Sequence, residues 1–388
     1  MSKLDDLIKK LCPNGVEYKK LGDIGQVKMC KRILKSQTNI IGGIPFYKIG
    51  TFGGEANSFI SKELYEEYKE KYSYPKIGEI LISASGTIGR TVVYDGEPAY
   101  YQDSNIVWLS HNESDVLNTF LKYCYELKPW NISSGGTIAR LYNDNILKAK
   151  IPVPPLEVQR EIVRILDTFT ELNNKLNEEL EYRKKQYVYY RDLLLSDDVL
   201  LKLTNKYSNS STLEYKKLGD VCEIKRGKVI SKKYIQENKG IYPVYSSQTE
   251  NNGELGKIST YMFNGEYVTW TTDGAHAGSV FYRNGKFNIT NVCGLIKPNN
   301  ILNTKFLYYI LNTLTKKYVN KGMGNAKLMS NIIELIQIPI PPLEVQEKIV
   351  EILDTFTELT ESITDGLPAE IDNRNKQYTY YRDKLLSF

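Results

Sequence analysis

A 22-residue stretch constrains this chain more than anything else in it. IPVPPLEVQREIVRILDTFTEL at 151–172 returns as IPIPPLEVQEKIVEILDTFTEL at 338–359, with 18 of 22 positions identical. Each copy leads into a second repeated block: RKKQYVYYRDLLL at 183–195 and RNKQYTYYRDKLL at 374–386, with 10 of 13 identical. A third block, EYKKLGD, opens each half at 17–23 and 214–220. The offsets differ, 197 at the opening block, 187 at the proline block and 191 at the tyrosine block. Repetition of this kind settles the architecture before any motif search: two unequal halves, each a variable block followed by a nearly constant helical block.

The expected partition is 1–150, a first variable domain; 151–197, a first helix; 198–337, a second variable domain; and 338–388, a second helix. SDDVLLKL at 196–203 parallels KLDDLIKKL at 3–11, so the lead-in to each half is also shared and a circular pseudo-twofold arrangement is expected. The variable blocks read as α+β. β-like runs at Glu79–Ser83, Thr91–Tyr94 and Ile106–Leu109 alternate with glycine turns, and helices are expected at 3–11, 61–72, 114–127 and 303–318. Asp95-Gly96 and Asn284-Gly285 carry the two-residue hairpin signature.

A Pro-Pro pair suits the first turn of a helix. Beyond it Ile162, Leu166, Phe169, Leu172, Leu176 and Leu180 recur at three- and four-residue steps, as do Ile349, Leu353, Phe356, Leu359 and Ile363 in the second copy. That periodicity predicts a coiled-coil-like seam of two helices packed antiparallel. The first helix would span about 60 Å at 1.5 Å per residue. The second copy holds four more residues between its blocks, around Asp365-Gly366-Leu367-Pro368, which predicts an interruption there.

Composition excludes more than it assigns. No apolar run of about 18 residues is present to span a membrane, and MSKLDDLIKKLCPNG lacks the apolar core of a signal peptide. Five scattered cysteines with no CxxC spacing point to reduced thiols in the cytoplasm. The net charge of +5 is compatible with nucleic acid. Catalytic apparatus is not found: there is no GxxxxGK[ST] loop, no FxGxG loop after a strand, no [DNS]PP[YF] tetrapeptide, and no metal cluster about His111 or His276.

The repeat also matches polar positions: Glu157, Gln159, Asp167, Gln186, Arg191 and Asp192 all recur. Packing alone does not require polar positions to match, so two like partners docked about a pseudo-twofold are expected, at Gln186, Tyr187, Tyr190 and Arg191 and at Gln377, Tyr378, Tyr381 and Arg382.

With IPxPPLEVQ…ILDTFTEL and KQYxYYRDxLL in duplicate, each after a variable α+β block, essentially the whole chain resembles the DNA-specificity subunit of type I restriction–modification enzymes. The resemblance implies two target-recognition domains, each reading one half of a split sequence in double-stranded DNA. It implies helices that act as a spacer and dock two methyltransferase (modification) subunits. This chain would bind no cofactor; the partners would use S-adenosylmethionine, ATP and Mg, with separate restriction/translocase subunits driving cleavage. Readers one helical turn apart, about 34–36 Å, would meet one face of the duplex.

Candidate DNA contacts, chosen as donors on loops near the repeated frame, are Lys28, Lys31, Arg32, Lys35, Tyr47, Lys48, Ser85, Thr87, Arg90, Gln102 and Arg140 in the first block. In the second they are Lys225, Arg226, Lys228, Tyr245, Ser247, Gln248, Thr272, Asp273, His276 and Lys327. Arg140 and Lys327 stand out as basic, matched between halves and next to glycine-rich turns. Two other readings stay open: a protein-binding scaffold, and the DNA-reading subunit of an assembly that only methylates. A self-sufficient DNA-modifying enzyme is disfavoured by the missing motifs.

Overall fold

The computed structural model describes residues 3–132, 139–208, 211–322, 324–362 and 364–388. It divides into two compact units. One is Met1–Leu176 with Ile371–Phe388, the other Asn177–Glu370. Each unit therefore takes in parts of both repeated helices, where the reading along the chain placed whole helices outside the variable domains.

The three repeated blocks meet within a unit. In the first, Tyr18–Lys20 of the opening block pairs antiparallel with Lys150–Pro152 ahead of the proline pair, Lys19 opposite Ile151. The second unit repeats this with Tyr215–Lys217 and Gln337–Pro339, Lys216 opposite Ile338. Flanking bonds repeat too: Val153 N–H donates to the Glu17 carbonyl and Ile340 N–H to the Glu214 carbonyl, both at 2.8 Å.

The proline-led helix then starts. Leu156–Leu194 is one α-helix of 39 residues; its counterpart is broken into Leu343–Glu361 and Leu367–Leu385. Gly366 occupies the break, where a Cβ would lie 2.3 Å from the Glu358 carbonyl oxygen, so a side chain there would collide with the end of the preceding helix. Pro368 falls in the first turn of the restart, where its missing N–H costs nothing.

Val158, Ile162 and Leu166 are buried in the first unit's core, among Val116, Phe120, Tyr123 and Ile151. Val345, Ile349 and Leu353 do the same in the second, with Phe306, Ile310 and Ile338. The opening turns of each seam thus pack onto a domain, and the other helix joins them there: Tyr378 and Leu385 pack against the first cluster, with Ile162 and Leu166, and Tyr187 and Leu194 against the second, with Ile349 and Leu353. Aromatic pairs between the helices follow. Phe169 stacks on Tyr381 with ring centroids 5.4 Å apart, and Phe356 on Tyr190 at 5.6 Å. Asn173 next to Asn375 fixes the pair in the first unit as antiparallel. Leu176, Leu180 and Leu359 are half-buried. Leu172 is exposed, because the helix has by then turned it off the seam. Ile363 lies outside the described residues.

The first unit's variable block carries a four-stranded sheet in the order Gln26–Lys28, Ile106–Ser110, Ile80–Ser83, Thr91–Val93, and a three-stranded one of Phe59–Ile60, Ile44–Tyr47 and Tyr100–Tyr101. Thr91–Val93 pairs with Ile80–Ser83, whereas Tyr100–Tyr101 joins Ile44–Tyr47 in parallel. Asp95-Gly96 is therefore a bend between two sheets and not the expected hairpin. Tyr65, Tyr74, Tyr94, Tyr100 and Tyr101 fill the core between them, with Tyr74 donating to the Ala99 carbonyl at 2.6 Å.

The second unit merges the corresponding strands into one six-stranded sheet, ordered Cys222–Arg226, Cys293–Pro298, Phe263–Thr271, Val280–Ile289, Lys239–Tyr245, Glu254–Ile258. Asn284-Gly285 lies inside Val280–Ile289, Gly285 opposite Gly265, so this hairpin expectation is also corrected. The long cross-strand register outweighs the dipeptide's turn preference. Helices occupy Lys3–Leu11, Lys62–Lys71 behind the Ser61 cap, Asn118–Glu126, and Thr304–Leu314 behind the Asn303 cap, whose side chain accepts from two backbone N–H groups.

Candidate nucleic-acid interface

The same backbone frame occurs at one edge of each variable block. In the first unit, the loop after Ile80–Ser83 is fastened by Ala84 N–H to the Asn105 carbonyl (2.7 Å) and by Leu141 N–H to the Ala84 carbonyl (2.9 Å). In the second, Thr272 N–H reaches the Val292 carbonyl (3.1 Å) and Leu328 N–H the Thr272 carbonyl (2.8 Å). Arg140 and Lys327, matched by sequence, hold equivalent places immediately before Leu141 and Leu328. The frame sets a basic residue beside a glycine-containing loop in both units.

Arg140 donates through Nη2 to the Ser104 carbonyl at 2.8 Å. Ser104 itself adopts φ 54, and the arginine holds that strained turn. The equivalent carbonyl in the second unit, Asn291, is taken by Arg226, which also reaches Thr272 Oγ1 at 3.2 Å and lies 3.7 Å from Asp273. Lys327 is left exposed, pairing through its backbone with Asn320 at 2.9 and 3.0 Å. The two halves thus solve one backbone problem with different cations, and the spare one faces solvent.

Around Ser104 the first unit gathers charge. Arg32, Lys35, Thr38, Lys48, Gln102 and Asp103 line a cleft of about 400 Å³. A neighbouring cleft of about 610 Å³, which shares Ser104, is lined by Arg140, Tyr142, Asp144 and Lys148. Arg32 Nε–H donates to Asp103 Oδ2 at 2.9 Å, so in the first cleft three cations face one carboxylate. Such a surface attracts a polyanion and displaces its counterions on binding. Lys148 and Asp103 were not among the candidates; neither lies in a glycine turn, and only the fold brings them here.

Other candidates hold the structure instead. Ser85 Oγ–H donates to Asn105 Oδ1 (2.9 Å) and Arg90 Nη1–H to the Phe52 carbonyl (2.8 Å). Gln102 Oε1 accepts from Ile49 N–H at 2.9 Å. Thr272 is buried, its hydroxyl donating to Asp273 Oδ2 at 2.5 Å, which removes it as a contact. Tyr47 stacks on Tyr101 at 5.8 Å, and Lys31 lies 5.0 Å over the Tyr72 ring. Lys225 pairs with Glu223 at 2.6 Å, and Gln248 bonds to the Glu254 carbonyl. Thr87, Lys28, Lys228 and His276 are exposed, and Ser247 is half-buried. His111 is spoken for by the Val116 carbonyl at 2.8 Å.

Arg283 escaped the sequence reading altogether. It is 3% exposed, with no ion pair to a carboxylate among the described residues. Its guanidinium stacks 3.6 Å over Tyr245, and Nη2 donates to the Asn252 carbonyl at 2.8 Å. Burial lowers its pKa from the usual arginine value. It ties the Ser246–Gly253 turn, which contains Ser247 and Gln248, to the sheet.

The repeated polar positions receive a structural account. Gln159 is buried; its Oε1 accepts from Leu117 N–H (2.9 Å), and its amide donates to the carbonyls of Asp115 (2.6 Å) and Pro154 (2.8 Å). Gln346 repeats this with Asn303 N–H, Ile301 and Pro341 at 2.7, 3.0 and 2.7 Å. Asp167 and Asp354 accept from Tyr123 and Tyr309. Tyr378 Oη–H donates to Glu126 at 2.5 Å, with Arg382 3.5 Å from the same carboxylate, and Tyr187 packs into the second unit's core. Helix-to-domain packing thus uses Gln159, Asp167, Tyr187 and Tyr378, and for these the recurrence has a source besides a partner. Arg191 and Arg382 each pair with the following aspartate at 2.7 Å. Gln186 and Gln377 accept from Arg183 and Arg374.

A family model for the type I restriction modification DNA specificity domain matches residues 13–182 and again 210–373. The chain belongs to this DNA specificity family. A type I restriction enzyme specificity subunit S of Haemophilus influenzae is 59% identical over 180 residues, 45% of this chain and 47% of that protein, so the match spans about half of that protein's length. A type I specificity subunit of Mycoplasma pneumoniae is 44% identical over 243 residues, 62% of this chain and 94% of its own. Among solved structures, the S subunit of a type I restriction–modification system from M. genitalium shares the fold over 96% of both chains, at 18% identity and TM-score 0.54. A chain from a study of assembly and conformational transition in the type I system aligns over 96% of this chain and 98% of its own, at 15% identity and TM-score 0.59. The twofold match to the specificity model follows the internal repeat.

Proposed function

We propose that this chain is a non-catalytic, cytoplasmic DNA-reading subunit of a type I restriction–modification assembly. Residues 1–150 and 198–337 serve as target-recognition domains, each reading one half of a split target in double-stranded DNA, while 151–197 and 338–388 form the spacer. The observation that carries this reading is the repeated frame at the domain edge, with Arg140 and Lys327 in equivalent places and a cation-lined cleft beside the first. Cations there would hold phosphates and set register, leaving neighbouring loops to read base edges.

Methyltransferase subunits would dock on the repeated helices. Tyr190, Tyr381 and Gln377 are the exposed members of the expected docking set. Tyr189 and Tyr380 add identical edge-on pairs, Tyr189–Tyr190 and Tyr380–Tyr381, each with centroids 5.3 Å apart. In this reading the partners use S-adenosylmethionine, and a restriction/translocase subunit uses ATP and Mg.

Co-expression with the methyltransferase subunit, followed by genome-wide mapping of methylated bases by single-molecule sequencing, tests the proposal. The expected result is a bipartite motif around an unspecified spacer, one half of which changes when residues 24–150 are exchanged. A chain that forms no complex and directs no methylation would refute it.

A further inference from the structure

Ile40 and Ile41 are 84% and 88% exposed, more than any other large apolar side chain among the described residues. Their turn is not slack. At its base Asn39 and Phe59 exchange two backbone hydrogen bonds, 2.8 and 2.9 Å, and Ile44 pairs with Ile60. Gly42 and Gly43 close it at φ 75 and 97, and a Cβ on Gly43 would meet the Ile60 carbonyl oxygen at 2.3 Å. Backbone conformation and strand pairing hold two branched apolar side chains out into water.

What stands next to them identifies their occupant. Thr38, two residues before Ile40, lines the cleft with Arg32, Lys35 and Lys48. Its hydroxyl and its N–H both donate to the Lys35 carbonyl, at 2.8 and 3.2 Å, which ties the turn to the cationic wall. An apolar tip beside cations complements a duplex, whose phosphates meet the lysines and arginine while its stacked bases accept an aliphatic wedge at a deformable step.

We propose that Ile40 and Ile41 form a wedge that enters the base stack at or beside the first half-site and unstacks one step. This rests on the DNA-reading function above. The test uses the complex with the methyltransferase subunit and a duplex carrying the mapped target, with 2-aminopurine placed in turn at each position of the first half-site and its flanks. Fluorescence should rise severalfold at one step. I40S/I41S should abolish that rise and weaken target binding about tenfold, with affinity for an unrelated duplex at the same salt unchanged. I40L/I41L should keep both properties. Tight target binding with no bright position in the unaltered complex overturns the wedge and leaves sequence reading intact. Loss of the methyltransferase subunit from I40S/I41S shows a protein contact and overturns it too. If mapping yields no split target, DNA reading fails, and the wedge with it.

Discussion

Gln159→Leu separates the two explanations for polar identity between the repeats. The glutamine is fully buried, and its loss leaves Leu117 N–H and the carbonyls of Asp115 and Pro154 without partners. Each orphaned buried group costs about 1–3 kcal/mol, and leucine's better burial offsets only part. A net destabilisation of about 3–5 kcal/mol follows, a large share of the ~5–15 kcal/mol typical of a domain. Urea denaturation gives the magnitude, and hydrogen exchange gives the place. Exchange should quicken at the Leu117 amide and along the start of the Leu156 helix, with the second unit unaffected. Gln346→Leu should cost a similar amount at Asn303, since its three bonds match. A loss below about 1 kcal/mol would refute the account of Gln159 as the pin between helix and domain. Unchanged stability with failure to co-purify the methyltransferase subunit would restore the partner explanation.

Tyr378→Phe removes the hydroxyl that donates to Glu126 at 2.5 Å. It should destabilise the first unit by about 1–2 kcal/mol, read by thermal denaturation. Gly294→Ala places a methyl 2.1 Å from the Trp270 ring, which is fully buried and donates to the Leu328 carbonyl. About 3 kcal/mol should be lost, at the upper end for overpacking, with a shifted tryptophan emission as the local readout. Hydrogen bonds first from Arg164 and then from Lys3 hold the Glu161 carboxyl down at about 2, below the ~4.3 of an unfolded glutamate. That stabilisation is present above pH ~4.3 and disappears as pH falls toward 2. Glu161→Gln should therefore cost ~1 kcal/mol at pH 7, allowing for its solvated partners. The gap between urea midpoints should narrow below pH ~4.3 and close only below pH ~2, and a cost independent of pH would count against the ion pair.

The halves, their helices and the α+β class were legible because repetition and 3.6-residue periodicity survive without tertiary context. The helices expected from 61 and 303 are present, and the structure adds the side-chain caps of Ser61 and Asn303 that start them. Turn dipeptides were not legible. Asn284-Gly285 is a hairpin signal by local preference, yet it lies within a long strand pair whose register local sequence does not encode. The polar repeat was visible, but its packing role was not: aligning the two halves shows that Gln159 recurs, and only the fold shows the three main-chain groups it bonds. Arg140 and Lys327 were found because the repeat aligned them. Lys148 joined the cleft from a helix, and Arg283, embedded in a strand, carries no local pattern that separates a buried arginine from an exposed one.

The first unit closes on its own distant tail, residues 371–388, whereas the second is continuous in sequence. On a ribosome adding ~5–20 residues per second, Leu176 emerges roughly 10–40 s before the segment its unit lacks. Through that interval Val163 and Phe169 have no Tyr378, Tyr381 or Leu386 to cover them. The second unit, begun later, holds all its segments sooner. Order of synthesis and order of completion are therefore reversed, and the half made first waits longest for its last segment.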